Sequence, residues 1–186
     1  MKLPEIIQID SPVLRNKSKE IPIEQITGAK IQDLISKMQS VLSSTTDGVA
    51  LAAPQIGQSL RVFVTSEKAF PLPADEVAKK EHLVYVNPVL EKTSIKKDVL
   101  DEGCLSVRGK FGKIKRHSRA TVSAYDEHGK KFRRGASGLL AEIFQHEIDH
   151  LEGILFVDTA WDVKEVVVGD IKELDEARSK PKDRNG

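Results

Sequence analysis

The sequence predicts an α+β fold with mainly antiparallel sheet, and three observations carry that expectation. Two segments show helical apolar periodicity, several short strand candidates lie between them, and strands and helices do not alternate one for one. At 186 residues the chain suits one compact domain, expected over residues 1–180 with a polar tail at 181–186.

The first helix is expected over residues 31–42, where Ile31, Leu34, Ile35, Met38, Val41 and Leu42 recur at helical spacing. Gly48 punctuates the polar stretch that follows. Small residues at 49–57 lead into a loop, and a strand is expected at 60–65. Two prolines and mixed charge make 67–81 read as an exposed loop. Further strands are expected at 83–86, closed by an Asn87-Pro88 turn, at 95–100 and at 120–125. The second helix opens after Gly138 and stops at Gly153. Its apolar residues Leu139, Leu140, Ile143, Phe144, Ile148 and Leu151 occupy nearly every side, which places it centrally in the domain. A last helical segment is expected at 163–178.

Composition excludes several classes of function. A net charge of +1 gives no bulk attraction to nucleic acid or membrane. Neither an apolar run of spanning length nor a cleavable signal is expected, since Pro4 and Asp10 interrupt the first ten residues. A single cysteine excludes an intrachain disulfide and fits a reducing compartment, so a cytoplasmic protein is expected.

The second helix carries His146-Glu147-Ile148-Asp149-His150, an HExxH pattern. Residues four apart lie one turn apart on one face, so both imidazoles can reach one ion. Glu147 projects beside that ion, where it can accept a proton from water. Two histidines on an otherwise apolar helix need partners, and a metal supplies one for each. Catalytic sites of this kind use three protein ligands, leaving a position open. Cys104 is one candidate for the third, and Glu152, Asp158 and Asp162 downstream are others. A lone cysteine reads equally as a small buried apolar residue; as a ligand it would be a thiolate, favouring zinc or ferrous iron over magnesium or calcium. Gly103, just before it, permits unusual backbone angles. Gln55 follows Pro54 and can donate to a developing oxyanion. Taken by itself it reads as an exposed loop glutamine.

Three segments together, GVALAAPQ at 48–55, EGCLS at 102–106 and HEIDH at 146–150, resemble the three signature motifs of peptide deformylases in order and spacing. DSPVLR near the start and LFVD after the metal helix extend the resemblance over most of residues 10–158. It implies antiparallel sheets packed around the metal-bearing helix, with Cys104, His146 and His150 as metal ligands. Glu147 would be the general base and then acid, and Gln55 with the Leu105 N–H would hold the oxyanion. The substrate backbone would run beside Val49, Ala50 and Gly103, while Glu102 and Asp149 would orient ligands. The implied cofactor is one divalent ion, Fe2+ in much of the family and commonly Zn2+. The implied reaction removes the formyl group from N-formylmethionyl nascent polypeptides and releases formate.

A transient ribosome contact would suit such a substrate, but the even mixture of charges from Asp162 onward gives no support for RNA binding. The chain departs from the family pattern at Ala50, where glycine is usual, and at Arg108, where proline is common. Alanine at position 50 requires a negative φ and a methyl packed away from the cleft. An HExxH zinc peptidase and a non-catalytic metal-binding relative are the alternatives. The former needs a downstream third ligand, the latter a closed fourth position.

Overall fold

A computed structural model describes residues 3–70 and 83–165. Helix α1, Ala29–Ser43, forms where the apolar stripe predicts it, and buries Ile31, Leu34, Ile35, Met38, Val41 and Leu42. Strands β1 (Ala50–Ala52), β2 (Val62–Thr65) and β3 (Val84–Thr93) follow. Next come β4 (Lys97–Cys104), β5 (Val107–His117), β6 (Arg119–Tyr125) and β7 (Lys131–Ser137). Helix α2 (Leu139–Leu151) and β8 (Trp161–Glu165) complete the described elements. The strands form a five-stranded sheet, β1-β2-β3-β6-β7, and a three-stranded sheet, β4-β5-β8, with every strand pair antiparallel. This is the α+β architecture that the clustering of strands predicts.

Strand alternation decides which side of the larger sheet each helix covers. Leu51, Val62, Val64, Val84 and Val86 join the residues of α1 in one apolar cluster. Their neighbours Ala50, Ala52, Phe63 and Tyr85 point the other way and enclose Ile143, Phe144, Ile148 and Leu151 of α2. Phe63 stacks on Tyr85 at 4.4 Å between centroids, and Phe144 meets the Tyr85 ring edge-on at 5.3 Å. A third cluster, Leu14, Val107, Ile114, Leu155 and Phe156, ties the smaller sheet to the segments flanking α2. The helix that carries the HExxH pattern is therefore central, as its near-continuous apolar character predicts.

Several elements depart from the sequence reading. The strand expected at 83–86 does not end at Asn87-Pro88 but continues to Thr93. Asn87 takes φ 48°, and its side chain accepts from Ile21 N–H at 2.9 Å and donates to Ile21 O at 2.7 Å, so the bend becomes an interior bulge pinned by the amino-terminal arm. The strand expected from Ile95 begins at Lys97, and Ile95 stands fully exposed in the connection. Residues 163–165, expected as helix, pair with β5 as the end of β8; the rest of that expectation, and the tail, lie outside the described residues. Within the expected loop 67–81, Glu67–Ala69 is a 3-10 turn, and 71–82 lie outside the described residues. Strands β1, β5, β7 and β8 are absent from the sequence reading. Charged or small residues dilute their apolar alternation, and long-range pairing outweighs local propensity there.

Candidate metal centre

Helix α2 presents His146 and His150 one turn apart, with ring centroids 4.8 Å from each other. The opposite side of the same turns carries Phe144, Ile148 and Leu151 into the core, which fixes the rotation of the helix about its axis. Cys104 arrives from the other sheet as the last residue of β4, where the strand turns through Leu105 and Ser106 into β5. Cys104 Sγ lies 3.2 Å from His150 Nε2, and the ligand atoms of Cys104, His146 and His150 all fall within 4.8 Å of one another. Bonds of about 2.3 Å to sulfur and 2.0–2.1 Å to nitrogen place tetrahedral ligands roughly 3.3–3.6 Å apart, so this spacing suits one ion.

The competing third ligands are engaged elsewhere. Glu152 pairs with Arg61 at 2.6 Å and Lys17 at 2.8 Å, and Asp158 pairs with Arg15 at 2.6 Å. Asp162 lies 3.5 Å from Lys113 and 3.7 Å from Lys164. Cys104 is half-buried and is the donor that completes the group. A soft sulfur with two imidazoles is the donor set of zinc or ferrous iron, so the residues present fit the ion that the motifs imply.

Charges around the ligands favour a cation. Glu102, only 2% exposed, accepts from His146 Nδ1 at 3.0 Å. Arg116 donates to both oxygens of the same carboxylate, Nε to Oε1 at 2.7 Å and Nη2 to Oε2 at 3.0 Å, and Nη1 donates to Asp149 Oδ2 at 2.6 Å. Burial pushes Glu102 up, but the hydrogen bonds from His146 and Arg116 outweigh it and hold the carboxyl at about 2. An ionised carboxylate only accepts, so Nδ1 of His146 donates to it and Nε2 is the nitrogen left to face the other candidate ligands. Burial pulls His146 down, yet the Cys104 sulfur and the Glu102 carboxylate raise its proton affinity, the field of a site built for positive charge. Burial pushes His150 well down and keeps it neutral.

Glu147 is 4% exposed, and burial pushes it up to about 7. Its Oε2 is buried without a hydrogen-bond partner, as is His150 Nδ1. A carboxyl poised near neutrality beside three metal ligands can take a proton and return it.

Gln55 is 2% exposed, not the exposed loop residue that its own segment suggests, and it lies against the candidate ligands, on the side of the cluster where the motif resemblance puts it. Its Oε1 accepts from Ala52 N–H at 2.8 Å, which fixes the amide's orientation. Nε2 then points to Ser106 Oγ at 3.2 Å and Cys104 Sγ at 3.5 Å, a donor aimed at the ligand cluster. Ser106 N–H also lies 3.4 Å from Cys104 Sγ. Leu105 sits in the turn between these donors, and its carbonyl accepts from Gln8 Nε2 at 3.2 Å.

Val49 and Ala50 flank the start of β1, an edge strand of the larger sheet. Val49 O accepts from Ser66 N–H of the β2 side at 2.8 Å, so by alternation the main-chain groups of Ala50 face the open edge. Ala50 does not have positive φ, and its methyl lies in the cluster around α2, both as expected. Gly103 differs from expectation. It does not adopt a left-handed angle; instead a Cβ there would come 2.5 Å from the Phe111 ring, so the glycine is required for space.

Arg116 and Ser106 are the site residues that sequence reasoning missed. Ser106 stands inside EGCLS and could have been found there. Arg116 lies among the basic residues of β5, where the sequence offers no signal to separate it from Lys113 or Lys115.

Residues 3–166 match the family described as polypeptide deformylase. Peptide deformylase 1A, chloroplastic/mitochondrial, of Arabidopsis thaliana is 42% identical over 164 residues, covering 84% of this chain and 61% of that protein. The peptide deformylase of Halothermothrix orenii is 42% identical over 159 residues, covering 85% of this chain and 94% of its relative. A crystal structure of a peptide deformylase from Legionella pneumophila matches with a TM-score of 0.74 at 33% identity, covering 97% of this chain and 100% of that one. The chain thus spans less than two thirds of the plant relative and nearly all of the two bacterial ones.

Proposed function

Because the chain belongs to the polypeptide deformylase family, we propose that it hydrolyses the formyl group from N-formylmethionyl nascent polypeptides, releasing formate and a free amino terminus. The observation that carries this reading is a buried Glu147 with one unpartnered oxygen, set beside Cys104, His146 and His150 and faced by the fixed Gln55 amide.

Cys104 Sγ, His146 Nε2 and His150 Nε2 would hold one divalent ion, ferrous or zinc. When bound, such an ion polarises the formyl oxygen and lowers the pKa of water toward neutrality. Glu147 takes the proton that water loses as its oxygen bonds to the formyl carbon. Gln55 Nε2, with the Leu105 N–H, meets the negative charge that then gathers on the formyl oxygen, a type of interaction worth roughly 3–4 kcal/mol. Glu147 delivers its proton to the amide nitrogen as the C–N bond breaks, so the amine leaves neutral. The substrate chain lies along the open edge of β1, bonded to the main chain near Val49 and Ala50 in the manner of strand addition, with Gly103 on the other side of the cleft. Glu102 and Asp149 orient the ligands. The proposed compartment is the cytoplasm, where formylated chains are made. No helix among the described residues is long and apolar enough to cross a membrane.

An HExxH peptidase would require one of the downstream carboxylates as third ligand, and all three are held by arginine or lysine. A purely structural site would close its fourth position, and the described group contains three donors. The test is anaerobic incubation of the iron- and zinc-loaded protein with a formyl-Met tripeptide and with its acetyl counterpart. Stoichiometric formate and free amine from the formyl peptide alone are expected. Cleavage of an internal peptide bond, or no turnover with metal bound, would overturn the reading.

A further inference from the structure

We propose that Arg116, through the Glu102 carboxylate, is the positioning residue that sets the metal affinity of the centre. This inference deepens the proposed function and rests on the same three ligands. Arg116 comes from the middle of the smaller sheet, and its side chain is almost completely buried. Its donors go to two carboxylates. Glu102 stands on the neighbouring strand β4, Asp149 on α2 between the two histidines. The guanidinium therefore joins the strand leading to Cys104 to the helix that carries His146 and His150.

Two consequences follow from that geometry. Glu102 has both oxygens fixed by the planar fork, so the oxygen that receives His146 Nδ1 at 3.0 Å cannot rotate away. The imidazole is held in one tautomer and one ring orientation, with Nε2 toward Cys104 and His150. Second, the third donor ties Asp149, and so the ligand-bearing turns of α2, to β5, the strand paired with the one that ends in Cys104. Lysine cannot reproduce this, because a single ammonium lacks the paired planar donors. Methionine keeps much of the volume and none of the bonds, leaving Glu102 buried without its counter-charge.

The test is metal affinity, measured by titrating the metal-free full-length chain with Co2+ against a competing chelator and following the thiolate-to-cobalt absorption. Loss of a group that orients a ligand weakens metal binding about 10–100-fold. Arg116→Met should fall in that range with a changed cobalt spectrum, and Arg116→Lys should fall between it and the parent. Glu102→Gln should also weaken binding, and the double variant Glu102→Gln/Arg116→Met should be no weaker than the worse of the two single variants, because Glu102 orients His146 only while Arg116 holds it. Parent-like affinity and spectrum in Arg116→Met or Arg116→Lys, with only the melting temperature lowered, would overturn the proposal. So would full additivity in the double variant. If Arg116→Met does not fold, Arg116→Lys and the charge-balanced double variant decide it by the same readouts. A parent chain that binds no cobalt would instead overturn the proposed function, which keeps the two failures distinguishable.

Discussion

The proposed reaction turns on Glu147, and the environment of this residue suits it to the role. Burial lifts it toward neutrality without making it a ligand, so it can exchange protons at ordinary pH. Glu147→Gln should retain metal at parent stoichiometry while kcat for a formyl-Met peptide falls by about 10²–10⁴-fold; metal analysis alongside single-turnover kinetics checks this, and retained turnover would remove Glu147 from its role. Ala50 shows how a departure from a motif is accommodated. Its backbone is extended and its methyl lies in the cluster around α2, so it leaves the open edge of β1 clear. Ala50→Gly should lower stability by about 0.4–1 kcal/mol through the added freedom of the unfolded chain. It should change kcat/KM less than about tenfold, or roughly 1.4 kcal/mol. A large gain in activity would show that the methyl obstructs the substrate.

Elements on either side of α2 are joined by a contact that pH can probe. Asp158 Oδ2, in the 3-10 turn Phe156–Asp158, accepts from Arg15 Nη1 at 2.6 Å and from Leu155 N–H at 2.8 Å. Burial pushes this carboxyl up, but Arg15 and the backbone donor outweigh it and hold it below the ordinary aspartate value. A carboxyl depressed on folding contributes stability above its unfolded pKa of about 3.9, and that contribution disappears as pH falls through the lower folded value. Asp158→Asn should therefore be less stable than the parent at neutral pH, and the difference should shrink to near zero once pH falls well below about 4. Urea midpoints from pH 7 to pH 2, with chelator present throughout, measure it; a gap independent of pH would refute the assignment. The strand elements were harder to read than the helices for a related reason. β5 carries Arg108 and Lys115 at its exposed positions and β7 carries Lys131, Arg133, Gly135 and Ser137, so neither shows a clear apolar alternation, and their hydrogen-bonded neighbours make them strands.

At the scale of the whole molecule, one helix packs the core and carries two of the three candidate ligands, so core damage should reach the candidate metal centre. Phe144 is fully buried against Phe63 and Tyr85, two residues before the first ligand. Phe144→Ala should destabilise the metal-free protein by about 3–5 kcal/mol and weaken cobalt binding by loosening the helix that carries both imidazoles. Denaturant unfolding and metal titration check the two effects, and unchanged affinity would show that the ligands are held independently of the core. The sequence by itself determined both helices, the shared face of His146 and His150 and the central place of α2, because these depend on contacts three or four residues apart. Residue spacing left the third donor open between Cys104 and the downstream carboxylates, and the motif resemblance pointed to Cys104; the tertiary structure is what brings Cys104 to His150, buries Gln55, carries β3 through Asn87-Pro88 and sets Arg116 between Glu102 and Asp149. Those contacts span 46 residues from Cys104 to His150, 49 from Gln55 to Cys104 and 33 from Arg116 to Asp149. Over such separations local periodicity carries no distance information, and the packing of two sheets about one helix decides which polar groups meet.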